Sequence, residues 1–279
     1  MLLGPVEINN LLKQLDIRPT KKLGQNFLHD ANIVRKIVKS AQLNQSDVVL
    51  EVGPGLGSLT LGLLPEVQKV IAVDIDERFT RQLPATVSQF ASEYQQRILV
   101  LHKDALELTQ EHLPLSPTAL VANLPYNISV PVLITVLTRF PSISKFLVMV
   151  QAEVADRLAA KPGDAAYGAP SVKLQWFMRV TRGADIPRPV FIPVPNVDSG
   201  LVFGTRREPP STAISREKVF KVIDSAFNQR RKMLRSALGA IAGSASAAEM
   251  AITRAGINPT IRGEMLQIEQ FVRLAEELN

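Results

Sequence analysis

The chain has no cysteine, which excludes disulfides, thiolate zinc sites and cysteine nucleophiles together. Histidine is scarce: His29, His102 and His112 are the only three and show no ligand spacing, so no metal site is expected. Aromatic residues make up 5%, with a single tryptophan. No apolar run approaches the roughly 18 residues of a membrane span. The opening MLLGPVEINNLLKQLDI is broken by Pro5, Glu7, Asn9 and Asn10. It lacks a basic stretch, an apolar core and a cleavage site in succession, so no signal peptide and a cytoplasmic location are expected. Nor is there a Walker A pattern to cradle the phosphates of ATP.

What is present is a globular composition. The 279 residues are 46% apolar, enough for a sizeable core. Lys and Arg number 32 against 26 Asp and Glu, a formal +6 that favours a polyanionic partner. Short apolar runs at 47–52, 69–76, 97–106, 118–126 and 145–151 alternate with helical patterns, among them 129–140. That alternation predicts βαβ units, hence an α/β doubly wound sheet that is parallel and covered on both faces. SVKLQWFMRV (171–180) alternates with period two, which predicts a half-exposed strand near the sheet edge with Trp176 in the core. SGLVFGT (199–205) is the last strand expected. Around 206–215 the composition turns to Pro, Ser, Thr and charge, as in a linker. Beyond it Val219, Val222, Ile223, Ala226 and Phe227 form one helical stripe, GINP (256–259) ends a helix, and Ile268, Phe271, Val272 and Ala275 form another stripe. Two domains are expected, 1–206 and a helical 207–279.

Four strand tips carry chemistry. Gly53, Gly55 and Gly57 follow the first strand directly, as G-x-G-x-G and not the dinucleotide G-x-G-x-x-G. They let a ligand lie against bare backbone, or make only a tight turn. Asp74 ends the second strand, where an acid takes both hydroxyls of a ribose, with Asp76 as competitor. Asp104 ends the third, where a carboxylate accepts from the exocyclic amine of an adenine. Together they point to an adenosine-containing ligand. The fourth tip is Asn123-Leu124-Pro125-Tyr126. Adenine N6 is a poor nucleophile because its lone pair is delocalised into the ring. Two acceptors aimed at its two protons, the Asn123 oxygen and the carbonyl of Leu124 or Pro125, would free that pair for attack. Tyr126 would stack on the base. The plainer alternative is an ordinary turn after a strand. Phe191, in the Pro-rich VFIPVPNVDSGLV (190–202), is either a second ring stacked on a flipped base or a core residue plugging its loop.

LGQNFLHD (23–30), LEVGPGLGSLT (50–60), NLPYNIS (123–129), FIPVPNVDS (191–199) and AFNQRRKMLRSAL (226–238) occur in this order. Together they resemble the small-subunit (16S) rRNA adenine N6,N6-dimethyltransferases, whose bacterial members confer kasugamycin sensitivity. The resemblance runs from about Leu23 to the C-terminus. It implies a Rossmann-like S-adenosylmethionine-dependent methyltransferase sheet with a small C-terminal all-helical domain. The implied partner is 16S rRNA within the small ribosomal subunit or its precursor. The implied reaction is direct transfer of methyl groups from S-adenosyl-L-methionine to N6 of two adjacent adenosines in a hairpin loop near the RNA 3′ end. Nothing in the sequence demands a dimer, so a monomer is expected. Carried over by position, Asn26 and Leu28 close over the cofactor's methionine end and Gly53 and Gly55 line it. Asp74 holds the ribose, Asp104 the adenine, and Asn123 touches both the methyl donor and the target N6. Asp74 stands where many members have Glu, which implies a looser or water-bridged ribose contact.

The RNA is expected to dock through Arg230, Arg231, Lys232 and Arg235, with Arg231 and Arg235 four apart on one helix face. A second basic patch is expected at Arg18, Lys21 and Lys22. Three alternatives stand beside this reading: a macrolide-resistance methyltransferase of large-subunit rRNA, a non-catalytic RNA-binding or transcription-assembly factor, and a DNA adenine methyltransferase. The intact glycines, Asp104 and NLPY argue against the second, and the C-terminal motifs against the third.

Overall fold

The computed structural model describes residues 1–17 and 26–278. Arg18, Lys21 and Lys22 therefore lie outside the described residues. The backbone forms two compact units, one of Met1–Ala155 with Thr181–Arg206, the other of Asp156–Val180 with Arg207–Asn279. The domain division thus differs from the one expected, because 156–180 joins the C-terminal helices. Its bonds explain why. Within the second unit the Tyr167 hydroxyl donates to the Leu266 carbonyl at 2.8 Å, and Lys173 pairs with Asp224 at 2.6 Å.

The strands are β1 (Phe27–Leu28), β2 (Val48–Val52), β3 (Lys69–Asp74), β4 (Ile98–His102), β5 (Ala119–Asn123), β6 (Lys145–Gln151), β7 (Met178–Ile186), β8 (Phe191–Ile192) and β9 (Ser199–Arg206). Seven of them make one sheet in the order β4-β3-β2-β5-β6-β9-β7, while β1 and β8 pair antiparallel as a short ribbon. β4-β3-β2-β5-β6 run parallel, and β9 returns antiparallel to β6. The central strands are apolar at nearly every position because helices cover both faces, so neither face alternates with water. Strand order reverses between β2 and β5. Ligands of such sheets bind at that switch point, beyond the carboxyl ends of the strands.

Residues 171–180 are not one strand. Pro170 opens a helix at Ala169–Gln175, and β7 starts only at Met178. Val172 and Leu174 are both fully buried, so the alternation that suggested a strand comes from a short helix covered on more than one side. Trp176 is in the core, 7% exposed, edge-on to Phe220.

In the second unit the helix Arg216–Asn228, capped by Ser215, buries Val219, Val222, Ile223 and Ala226. It then stops. Gln229 leaves the helical region, and the next helix is Leu234–Ala242. Arg230, Arg231 and Lys232 therefore sit in a turn, and the single helix face expected for Arg231 and Arg235 does not form. No glycine or proline marks this break in the sequence. Tertiary hydrogen bonds stabilise it: the amides of Leu234 and Arg235 donate to the carbonyls of Ile261 (2.7 Å) and Pro259 (3.4 Å). They satisfy amides that Met233 leaves uncapped.

Candidate active site

A cavity of about 330 Å³ lies at the carboxyl ends of β2 to β5. Asn26, Leu28, Gly53, Gly55, Asp74, Asp104, Asn123, Leu124, Pro125 and Tyr126 all line it. Phe191 does not. Its ring is fully buried, its backbone pairs with Leu28 in the short ribbon, and it packs in the core. Of the two readings of that residue, the structure shows the core one.

The first wall is bare backbone. Gly53 and Gly55 have φ of 71° and 53°, left-handed values that cost an L residue about 1–2 kcal/mol. A Cβ on Gly55 would also stand 3.0 Å from the Phe27 ring. The turn keeps open a space that a side chain would occupy.

The acids differ in what they already hold. Asp76 caps the helix Glu77–Phe90 and forms a 2.6 Å ion pair with Arg78, which holds its carboxyl below the ordinary range. Both its oxygens are engaged. Asp74 accepts only backbone amides, from Asp76 at 3.0 Å and Gly55 at 3.4 Å, and burial pushes its carboxyl up. Asp104 accepts the Leu106 amide at 2.8 Å, which fixes its orientation.

Of the lining residues that went unread in the sequence, Glu51 and Ile75 stand out. Glu51 is 1% exposed, accepts from the Thr60 hydroxyl at 2.7 Å, and is pushed by burial up to about 8. An acid inside the otherwise apolar VVLEV was the available signal. Ile75 is 64% exposed between Asp74 and Asp76, an apolar side chain on the cavity wall with no signal beyond its position.

At the tip of β5, Asn123 Nδ2 donates to the Asn26 carbonyl at 3.2 Å. Its Oδ1 is buried and has no hydrogen-bond partner, the only such side-chain atom among the described residues. An unsatisfied buried acceptor costs about 1–3 kcal/mol, so Oδ1 is suited to accept from a donor on a ligand. The Pro125 carbonyl accepts the Ile128 amide at 3.2 Å, and the Leu124 amide donates to the Met149 carbonyl at 3.1 Å. Tyr126 is half-buried, and its hydroxyl meets Ser199 Oγ at 2.6 Å. Among the described residues no cluster of three His, Asp or Glu could hold a metal, and no helix is long and apolar enough to cross a membrane.

An orphaned acceptor beside a bare-backbone cradle, on a sheet with this order and this antiparallel return, fits the S-adenosylmethionine-dependent methyltransferases, the class of the solved structures this chain resembles. Residues 18–279 match the family model described as ribosomal RNA adenine dimethylase. The chain belongs to that family and is an S-adenosylmethionine-dependent rRNA adenine methyltransferase. It is 58% identical to ribosomal RNA small subunit methyltransferase A of Thermobifida fusca, over 99% of this chain and 96% of that one. The protein of the same name from Corynebacterium diphtheriae is 56% identical, over 98% and 94%. Among solved structures it is similar to a dimethyladenosine transferase from Plasmodium falciparum, with a TM-score of 0.72, 25% identity, and 89% and 95% of the two chains covered. The 23S rRNA methyltransferase ErmE gives a TM-score of 0.67 and 27% identity, over 91% and 99%.

Proposed function

We propose that this enzyme dimethylates N6 of two adjacent adenosines in a hairpin loop near the 3′ end of 16S rRNA. It does so as a cytoplasmic monomer acting on the small ribosomal subunit or its precursor. The high identity to small-subunit enzymes, against 27% to the 23S enzyme, favours this RNA over the large-subunit one.

When bound, S-adenosylmethionine supplies an electrophilic methyl group on a sulfonium sulfur. Asn26 and Leu28 close over the methionine end of that cofactor, and the backbone at Gly53 and Gly55 lines it. Asp74 takes the ribose hydroxyls and Asp104 the adenine amine, with Ile75 offering an apolar plate. The observation that carries the reading is Asn123 Oδ1, buried and without a donor. It accepts a hydrogen bond from one N6–H of the target adenine. The Leu124 carbonyl accepts the other, since that of Pro125 already serves Ile128. Held so, N6 is drawn toward a pyramidal shape with its lone pair free, while the Tyr126 ring fixes the base plane.

The second unit docks the RNA backbone. Arg230 is held by Glu264 at 2.8 Å and Arg235 by Glu249 at 2.9 Å. Arg231 and Lys232 are exposed in the turn and carry no ion pair among the described residues, which suits them to phosphate binding.

The test is transfer of labelled methyl groups to small subunits lacking these modifications, with 23S rRNA and an Asn123→Ala variant alongside. Label on two adjacent adenines of 16S rRNA, absent in the variant, is the expected result. Label on the 23S rRNA instead would move the enzyme to the large subunit.

A further inference from the structure

Tyr126 is tied to a strand 73 residues further along the chain. Ser199, its partner, opens β9 fully buried and stands opposite Gln151 of β6 in antiparallel register. Its neighbour Asp198 is pinned on both sides. The Asp198 carbonyl accepts the Ala152 amide at 2.9 Å, and its carboxylate accepts the Arg188 amide at 3.2 Å. Ser199 thus belongs to a fixed frame, whereas the Tyr126 ring is half-buried on the cavity wall. The 2.6 Å bond transmits the rigidity of the sheet to a ring that would otherwise be free to pivot.

We propose that Ser199 is a positioning residue for the second methyl transfer, its hydrogen bond locking the Tyr126 ring so that an adenine already carrying one methyl is still held in plane for attack. This rests on the reading of Tyr126 as the platform for the target base. Each transfer forms an N6–carbon bond as the donor's sulfur–carbon bond breaks. The bonding pair stays on sulfur and one N6 proton leaves to water. An unmethylated adenine offers two N–H groups to the two acceptors, Asn123 Oδ1 and the Leu124 carbonyl. A monomethylated one offers a single N–H. With one of its two polar tethers gone, the base depends more on the ring beneath it, so a loosened ring harms the second step more than the first.

The experiment uses the full chain and small subunits lacking the modifications, in single-turnover reactions read by nucleoside mass spectrometry for mono- and dimethyladenosine. Ser199→Ala and Tyr126→Phe each remove the bond. Each is expected to slow the second transfer about 5- to 10-fold more than the first, the rate equivalent of one hydrogen bond, so that monomethyladenosine accumulates. The double variant should be no slower than either single one. Equal slowing of both transfers, or additive effects in the double variant, would overturn the proposal. Tyr126→Phe carries the test alone if Ser199→Ala does not fold. Tyr126→Ala separates the two levels of the reading. If it stops transfer while Ser199→Ala keeps the wild-type product ratio, the role of Ser199 fails and the platform stands. If Tyr126→Ala transfers both methyls at the wild-type rate, the platform and the role of Ser199 fail together.

Discussion

The Asn123 carboxamide and the Asn26 backbone carbonyl meet at 3.2 Å, and that one bond decides which end of the amide faces the cavity. With nitrogen committed to Asn26, oxygen is left buried and unpartnered. Asn123→Ala deletes the acceptor and should reduce single-turnover methyl transfer by about 10²–10³-fold, the usual cost of losing a preorganised polar group at a reacting centre. Asn123→Asp replaces the donor with a second oxygen against the Asn26 carbonyl, so it should be no better. Activity within about tenfold of wild type in Asn123→Ala would remove this residue from the reacting centre.

Gly55 joins a left-handed φ of 53° to a Phe27 ring 3.0 Å from where a Cβ would stand. Gly55→Ala should lower stability by about 1–2 kcal/mol through the backbone alone. It should also weaken S-adenosylmethionine binding in calorimetry, since the new methyl group enters the cradle. Unfolding by urea and calorimetric titration on the same sample separate the two effects.

Glu51 makes stability depend on pH. Burial pushes its carboxyl from the ordinary 4.5 up to about 8, with the Asp74 charge adding in the same direction. The folded protein therefore holds this proton more tightly than the unfolded chain does. Its contribution is fully present below about 4.5 and is lost as pH rises toward and through about 8. Asp74 is also shifted up by burial and acts with the same sign. Glu51→Gln keeps an acceptor for Thr60 but cannot ionise. Urea denaturation across this range should show wild-type stability falling with pH more steeply than that of the variant, which becomes the more stable of the two at the alkaline end. Parallel profiles would show that Glu51 does not titrate in this window.

The cations of the turn separate by their partners. Arg231→Ala and Lys232→Ala should each weaken RNA binding and flatten its log–log salt dependence by about one unit or slightly less, as removal of a single phosphate-neutralising charge requires. Arg230→Ala and Arg235→Ala remove part-exposed ion pairs with Glu264 and Glu249, an effect on stability below about 1 kcal/mol. Equal salt slopes across all four variants would refute the division.

Where local pattern and tertiary environment agree, the sequence was sufficient. The buried strands at 48–52, 69–74, 119–123 and 145–151 are short apolar runs ending in turns, and their brevity and flanking turns favour strand over helix. Their tips carry residues whose chemistry is readable at once: glycine for bare backbone, acid for hydroxyls, carboxamide for an amine. Helix and strand became indistinguishable at Val172 and Leu174, because a residue covered on every side carries no period. The break after Asn228 was invisible because its cause lies in the carbonyls of Pro259 and Ile261, about thirty residues on.

By itself, then, the sequence determined the parallel centre of the sheet and the residues at its strand tips, and from these an adenosine-containing ligand, since they follow from local composition and the rule that parallel strands present their carboxyl ends together. Tertiary structure alone decided the finer matters: that Phe191 is core, and that Arg231 and Lys232 lack the acids that hold Arg230 and Arg235. It also decided that Asn123 turns its oxygen, not its nitrogen, inward. Each depends on which groups distant in the chain become neighbours, and a side chain's free valence is whatever those neighbours leave unsatisfied.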